Sequence, residues 1–523
     1  MRTSQGPYPH LPVHGLLEEA ARRWPQKVAL IDGARRFTYA QLQALAERFA
    51  TGLRQAGIRP GDVVGILAPN CAEFEIAFYG SSRAGAVVTT INSGYRERET
   101  AFQLENSGAR MLVVHPSLLP MAQAARDGAP KLERLIVIAS AAQQGGFWEL
   151  LEGAPESSPP VAIDPADLAV LPYSSGTTGL NKGVMLTHAN LTTNAYQFTR
   201  RPGEAAAPQH SEVVLVHLPL FHIYGMSVLM NSAVAVGATQ VLMGRFDIDE
   251  LLQLMAKERV TSLYSVPPVA LALTQAAQVA RTDLSALRLF FSGAAPLSAE
   301  VQLKLQGALG ATVIQGYGLT EASPYTNTDY MEPHLLRPGS IGPAAADTEE
   351  RVVDIETGTR PLKAGEVGEL QVRGPQVMRG YLNNPEATAQ SITPEGWLRT
   401  GDVVRMDAEG YVYVLDRIKE LIKYKGFQVP PAELEGVLLE HPAVADAAVI
   451  GKLDAEAGEV PKAFIVIKRG QTVDAEQLLR FVAARVATFK QVREIEFVEA
   501  IPKTPSGKIL RRVLVERERA KTS

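Results

Sequence analysis

Apolar residues recur at helical spacing in VHGLLEEAARRW and YAQLQALAERFATGLRQAG, as on the buried face of a helix. The runs between and after these stretches are short, apolar and rich in β-branched residues. VALIDG, VVGILAPN, MLVVHP, RLIVIAS, LAVLPYSS, VVLVHLPL and LRLFFSG end at turn-forming or small polar residues, the pattern of buried strands. Helix and strand in alternation predict parallel sheets flanked by helices, an α/β fold. Ligands in such sheets sit at the carboxyl ends of strands, and LAVLPYSS and LRLFFSG end where a ligand can approach backbone. AQAARDGAPK and RRPGEAAAPQH predict surface loops.

From about residue 340 the pattern changes. EVGELQVRGPQVMRGY and GYVYVLDRIKELIKYKGF predict short strands and hairpins, a small barrel-like β subdomain. After about residue 430 PAELEGVLLEHP predicts a helix, ADAAVIGKLD and PKAFIVIKRG strands, and AEQLLRFVAARV a further helix, a small α+β domain. We therefore expect a large N-terminal domain over 1–415 and a C-terminal domain over 416–523, joined near 416–419. The 523-residue length exceeds what one hydrophobic core supports.

The stretch Val213–Gly244 contains no Asp, Glu, Lys or Arg, but Pro219, His222, Gly225 and Asn231 interrupt it. A membrane span wants ~20 predominantly apolar residues. The stretch reads instead as a strand, a turn at LPLFHIYG, a buried helix over SVLMNSAVAV and a strand TQVLM. A net charge of -4 gives no general attraction to nucleic acid or anionic lipid. The lone cysteine, Cys71, excludes an intrachain disulfide, suits a reducing cytoplasm and reads as an inert filler. With no apolar signal core at the N-terminus, we expect a cytoplasmic protein, a monomer or homodimer.

Residues 173–183, YSSGTTGLNKG, hold three glycines, four hydroxyls besides the tyrosine, and one lysine. Glycines let backbone N–H groups converge on a ligand, hydroxyls donate further bonds, and a lysine adds charge: together, a polyphosphate cradle. The Walker order G-x-x-x-x-G-K-[ST] is not met, so this is not an ordinary P-loop. Alone, such a stretch is more often plain surface.

YSSGTTGLNKGVMLTHAN resembles the phosphate-loop signature of the acyl-adenylate-forming superfamily, which holds acyl- and aryl-CoA ligases, luciferase and peptide-synthetase adenylation domains. Further signatures follow in order: SGAAPL (292–297), QGYGLTEAS (315–323), WLRTGD (397–402), DRIKELIKYKGFQVPPAELE (416–435) and PKTPSGKILRR (502–512). The wording LPLFHIYG and LIKYKGFQVPPAELE is similar to the 4-coumarate–CoA ligases. Asn181 departs from the usual proline in the loop, and asparagine tolerates turns.

The resemblance implies an ATP-dependent acid–CoA ligase with Mg²⁺. A carboxylate attacks the α-phosphorus of ATP, and the thiol of coenzyme A then attacks the acyl-adenylate. It implies that Ser174, Ser175, Gly176, Thr177, Thr178, Gly179 and Lys182 hold the β- and γ-phosphates. Tyr317 stacks on adenine, Thr320 bonds the α-phosphate and Glu321 is the metal ligand. Gly293, Ala294 and Ala295, with Gln315, Gly316 and Gly318, form the wall beside adenine and acyl group. Asp402 and Arg417 clamp the ribose, and Lys508 reaches the substrate carboxylate and α-phosphate. Taken singly, Glu321 reads as a solvated turn carboxylate, Asp402 and Arg417 as a surface ion pair, and Lys508 as a surface lysine.

The second step implies a rotation of the mobile small domain about Lys419. This brings in Lys423 and Gln428, with Lys425 and Gly426 along the pantetheine tunnel. Taken alone, Lys419 and Lys423 read as i and i+4 on a short polar helix face. His222 is implied as a gate beside the acyl pocket, with a base role toward the thiol as the minor alternative. Ile223, Tyr224, Ser227, Pro324 and Tyr325 are implied as pocket lining, small or aromatic and uncharged. Such a lining suits an aryl-propenoate, with a medium- or long-chain fatty acid as the alternative. A freestanding adenylation enzyme serving a carrier protein, a luciferase-like oxygenase and an inactive scaffold are the remaining readings. Intact Thr320, Glu321 and Lys508 weigh against the last.

Overall fold

The computed structural model describes residues 4–138, 146–154, 161–174, 181–200, 211–425, 427–454, 457–504 and 507–522. Two eight-stranded sheets form the large body. The first runs in the order Tyr325–Thr328, Thr312–Gly318, Leu289–Ser292, Ser262–Ser265, Val213–Val216, Thr239–Leu242, Val28–Asp32, Arg35–Thr38. Its interior pairs are parallel and its two edges antiparallel. The strands buried on both faces are the continuous apolar runs of the sequence, as a parallel sheet covered by helices requires. The second sheet centres on Val87–Thr90, Val63–Leu67 and Ala109–Val114 in parallel, with Lys182–Thr187 and Gly380–Tyr381 toward one edge. One continuous apolar core spans both sheets.

A four-stranded antiparallel sheet follows: Glu349–Val353, Val367–Arg373, Leu398–Met406 and Val412–Arg417. The C-terminal domain has a five-stranded sheet built on the long hairpin Val444–Asp454 and Gly458–Ile467, with its own core around Leu434, Val449, Ile465 and Val482. Asp416 and Arg417 still pair with the four-stranded sheet, so the chain crosses between domains at 418–421.

Several local expectations need correction. The first part of the predicted loop AQAARDGAPK is the end of a short helix, Leu119–Ala125, continued by a 3₁₀ turn over Arg126–Gly128; Ala122 and Ala125 supply enough buried face to hold it. LAVLPYSS is broken at its proline into Leu168–Val170 and Tyr173–Ser174, because proline cannot donate to a ladder. The helix expected from Ser227 begins at Tyr224 and is a wide π-type turn as far as Asn231, a form common at functional sites. Residues 418–420 form a turn and Ile422–Tyr424 a strand, so Lys419 and Lys423 share no helix face. Of RRPGEAAAPQH only its first residue, Arg200, lies among the described ones. No helix among the described residues is long and apolar enough to cross a membrane.

Candidate active site

Two adjacent strand ends build one wall of the site. Leu289–Ser292 runs into the loop Gly293–Leu297, and Thr312–Gly318 lies beside it. Gln315 ties the two together: its Oε1 accepts from Leu297 N at 2.7 Å and its Nε2 donates to Gln302 Oε1 at 3.3 Å. Gln315 is buried, so its side chain shapes the wall from behind. Ala294 holds a left-handed backbone, φ 69°, a strain found where surroundings over-determine a conformation. No side chain fits at 316 or 318. A Cβ there would fall 2.0 Å from the Phe291 ring and 2.1 Å from Pro324 O. Bare backbone is what remains to face a ligand.

Across from this wall, Asp402 and Arg417 are partners in the antiparallel ladder. Arg417 Nε donates to Asp402 Oδ1 at 2.8 Å, and the Tyr317 hydroxyl donates to Asp402 Oδ2. Burial, with the Asp402 charge beside it, pushes the Tyr317 hydroxyl far above its ordinary pKa, so it remains a donor. The Asp402 charge likewise raises the Arg417 guanidinium. The three groups form a fixed acceptor site at which a ribose diol can donate.

Glu321 is held by one oxygen. Ser174 Oγ and the Tyr381 hydroxyl both donate to its Oε1, at 2.9 and 2.8 Å. Oε2 has no hydrogen bond among the described residues and is the hard acceptor available to a divalent cation. Those residues contain no converging trio of His, Cys, Asp or Glu side chains. The protein thus offers a single carboxylate, which fits Mg²⁺ ligated otherwise by phosphates and water. Lys182 Nζ lies 4.9 Å over the Tyr381 ring, linking the phosphate-loop lysine to the same cluster. Sequence reasoning missed Tyr381; only the pairing of Gly380–Tyr381 with Val184–Met185 brings it here.

Ser175, Gly176, Thr177, Thr178 and Gly179 lie outside the described residues. The flanks of the loop are paired, Ser174 with Lys182. Asn181, at the departure from proline, donates to the Tyr95 hydroxyl.

The C-terminal domain supplies the cations. Gly507 has φ 80° and its position leaves a Cβ only 2.8 Å from Pro268, so the Lys508 loop lies against the start of the large-body helix Pro267–Gln275. Lys508 N donates to Thr504 Oγ1 at 3.0 Å, closing the loop. Burial, and then the nearby Arg417 charge, lower the Lys508 pKa, while Glu420 and Asp402 oppose them. The ammonium thus lies within electrostatic range of the Asp402–Arg417 pair. Arg511 fixes this arrangement from behind, donating to Glu420 and to Glu435, the latter at 2.6 Å. It too escaped the sequence reading. Lys423 and Lys425 are exposed on the hairpin of Ile422–Tyr424 and Phe427–Val429, with Lys423 opposite Gln428. Gly426 and the Gln428 side chain lie outside the described residues. Lys419 sits in the turn between domains.

Ile223, Tyr224 and Ser227 are buried on the π-type helix, and Tyr325 is buried opposite. Asn194 clamps the Tyr325 backbone, accepting from its N at 3.0 Å and donating to its O at 2.8 Å. Tyr224 donates to Ser265 O at 3.2 Å and its ring faces Gly293. His222 Nδ1 accepts from Tyr224 N at 3.2 Å, and burial holds its pKa down at about 4. It is neutral and caps the helix.

Two family models match the chain: "AMP-binding enzyme" over residues 17–382 and "AMP-binding enzyme C-terminal domain" over 433–508. The chain belongs to the AMP-binding enzyme family, within the acyl-adenylate-forming superfamily. Its enzyme class is that of the AMP-forming acid–CoA ligases. It is 40% identical over 513 residues to a 4-coumarate–CoA ligase of Solanum tuberosum, covering 97% of this chain and 93% of that protein. Among solved structures it matches the anthranilate–CoA ligase AuaEII in complex with anthranoyl-AMP, with TM-score 0.92 and 29% identity over all of both chains. It also matches ATP-bound MatB from Rhodopseudomonas palustris, with TM-score 0.89 and 29% identity over 98% of this chain and 100% of that one.

Proposed function

We propose that the chain joins an aryl-propenoate, of the cinnamate or 4-coumarate type, to coenzyme A through an acyl-adenylate. The observation that carries this reading is the packing of the Lys508 loop, from the small domain, on Pro268 of the large body, within electrostatic range of the Tyr317–Asp402–Arg417 network. In the first step a carboxylate oxygen bonds to the α-phosphorus of ATP while the bond to pyrophosphate breaks. Lys508 sits where charge gathers on the carboxylate and α-phosphate oxygens, with Thr320 donating to the latter. Asp402 holds the ribose and Tyr317 the adenine face. Ser174 and Lys182, with the loop between them, take the β- and γ-phosphates. Glu321 Oε2 would hold Mg²⁺, whose charge would neutralise phosphate oxygens.

In the second step the thiol sulfur bonds to the acyl carbon, AMP leaves and the thiol proton is released. Lys508 must then withdraw, and a turn of the small domain about Lys419 brings Lys423, Gln428, Lys425 and Gly426 to the adenylate. The present exposure of Lys423 and Lys425 fits that exchange. His222 acts by position, since an imidazole held neutral so far below neutral pH is a weak base for a thiol of ordinary pKa ~8.5. The uncharged lining of Ile223, Tyr224, Ser227, Pro324 and Tyr325 supports an apolar acid, and the plant relatives support an aryl-propenoate. The single cysteine, the partly buried Cys71, can form no intrachain disulfide, which supports a cytoplasmic setting.

The test is AMP and pyrophosphate release with ATP, Mg²⁺ and coenzyme A across cinnamate, 4-coumarate, hexanoate and dodecanoate. Coenzyme-dependent AMP formation with kcat/KM highest for the aryl acids is the expected result. Higher kcat/KM for dodecanoate overturns the aryl assignment, and AMP formation indifferent to coenzyme A overturns the acceptor.

A further inference from the structure

Aromatic rings close the deep end of the proposed acyl pocket. Phe198, in the last turn of the helix His188–Thr199, is buried and meets three rings edge-on. Centroid distances are 5.2 Å to Tyr325, 5.5 Å to Tyr264 and 5.5 Å to Phe291. Tyr325 belongs to the proposed pocket, and the Phe291 ring stands under Gly316 so closely that no Cβ fits there. The same interlocked rings therefore form the pocket floor.

Behind the floor lies a second void. Phe198 and Tyr264 line a narrow crevice of about 20 Å³, room for about one water molecule, together with Val214, Val228 and Ala233. Glu212 also borders it but is engaged by Arg288, Thr261 and Ser262. Phe198 and Tyr264 are thus partition walls, facing a polar reaction centre through the pocket on one side and an apolar slot on the other. The crevice alone holds no acyl tail; joined to the volume of the Phe198 ring it makes a narrow slot, and a polymethylene chain, thinner than an aryl ring is broad, suits that slot where a second ring does not. Displacing Phe198 exposes that slot in line with the pocket, because Phe198 is the ring that touches Tyr325 on one side and lines the cleft on the other.

We infer that Phe198 is a specificity-determining residue that stops the acyl pocket at aryl-propenoate length, and that the cleft behind it receives a straight acyl tail once the ring is removed. This rests on the acyl-pocket reading above. The two are separable: the wild-type acid panel judges the aryl assignment, whereas only the change from wild type to variant judges the wall.

The experiment compares kcat/KM for cinnamate, hexanoate, octanoate and dodecanoate in the wild type, Phe198→Ala and Phe198→Leu, each checked for native circular dichroism. Phe198→Ala should raise the dodecanoate-to-cinnamate ratio at least tenfold, and Phe198→Leu should raise it less. If cinnamate is not turned over, the ratio is taken to whichever acid the wild type uses fastest. Ala233→Leu narrows the cleft from its far side: alone it should leave the cinnamate rate unchanged, and added to Phe198→Ala it should return the ratio toward wild type. A ratio unmoved in folded Phe198→Leu or Phe198→Ala, or a gain that survives Ala233→Leu, overturns the inference.

Discussion

In the large body the carboxylates of the site, Asp402 and Glu321, are fixed from behind; in the small domain its lysines are carried on loops and hairpins. Asp402 has a partner on each oxygen, and Glu321 has two donors on one. These carboxylates are oriented before any ligand arrives, which is how a polar site avoids reorganisation at the moment of reaction. Among the described residues the Lys508 and Lys423 side chains have no hydrogen bond or ion pair to the large body. Their domain is organised within itself, by a separate apolar core and by ion networks such as Lys462 with Glu518 at 2.7 Å and Glu496 at 2.9 Å. A unit with its own core that touches the body through a few loops can reorient as a rigid piece. The contrast teaches that fixed carboxylates and separately organised lysines are kept in different units, the arrangement that the proposed exchange of lysines requires.

Losing a cation should cost most. Lys508→Ala should slow adenylate formation by about two to three orders of magnitude, the scale of removing one preorganised charge contact, while leaving thioester formation from supplied adenylate close to wild type. Single-turnover assays of each half-reaction check this, and equal losses in both would break the division of labour. Lys419→Pro comes next. Restricting the interdomain turn should lower overall turnover by about tenfold or more while a burst of adenylate persists; unchanged overall turnover would place the pivot elsewhere. Tyr381→Phe tests the fixed side. Removing one donor from Glu321 Oε1 should raise the Mg²⁺ concentration for half-maximal rate by about tenfold, the lower end for lost outer-shell support. An unaltered metal titration would mean that Glu321 needs no such support.

The smallest effect lies in the body's core, remote from the groove. Glu75 is fully buried, accepts from Gln240 at 3.1 Å, and burial raises its pKa to about 8. Its Oε1 and the Gln240 Oε1 both lack a partner as acceptors; a proton on Glu75 shared with that amide oxygen would serve both. A raised folded pKa means stability is fully present below the ordinary carboxyl range and is lost as pH rises toward 8, at up to about 1.4 kcal/mol per pH unit. Buried His14, His188 and His217, held down at about 3, 4 and 4, add stability as pH rises but only up to about 6.5. Between about pH 6.5 and 8, Glu75→Gln should therefore flatten the decline of denaturation midpoint with pH. An identical slope in the variant would remove the protonated-acid reading.

How much was readable in advance follows from the range of each interaction. Strand runs such as LRLFFSG and VVLVHLPL carry their burial in their own composition, and the strands at Leu289–Ser292 and Val213–Val216 lie where they were expected. Motif residues were readable because several signatures stand in order along one chain. Partnerships across the fold were not. Nothing local to GYLN places Tyr381 against Glu321, and nothing local to KILRR places Arg511 between Glu420 and Glu435. The helix read into Lys419 and Lys423 failed because pairing with the Phe427–Val429 strand outweighed a two-residue charge pattern.

Sequence alone determined the alternation of helix and strand, the change of character near the small domain, and the order of the phosphate-loop, adenine, ribose and lysine motifs, since these depend on spacing and residue chemistry within short windows. Tertiary structure alone decided which oxygen of Glu321 stays open, that Lys508 of the small domain comes within electrostatic range of Asp402 and Arg417 of the large body, and where the rings of Phe198, Tyr264 and Phe291 interlock. Those outcomes depend on packing and hydrogen bonds between residues far apart in the chain, whose energies exist only once the folded surfaces meet.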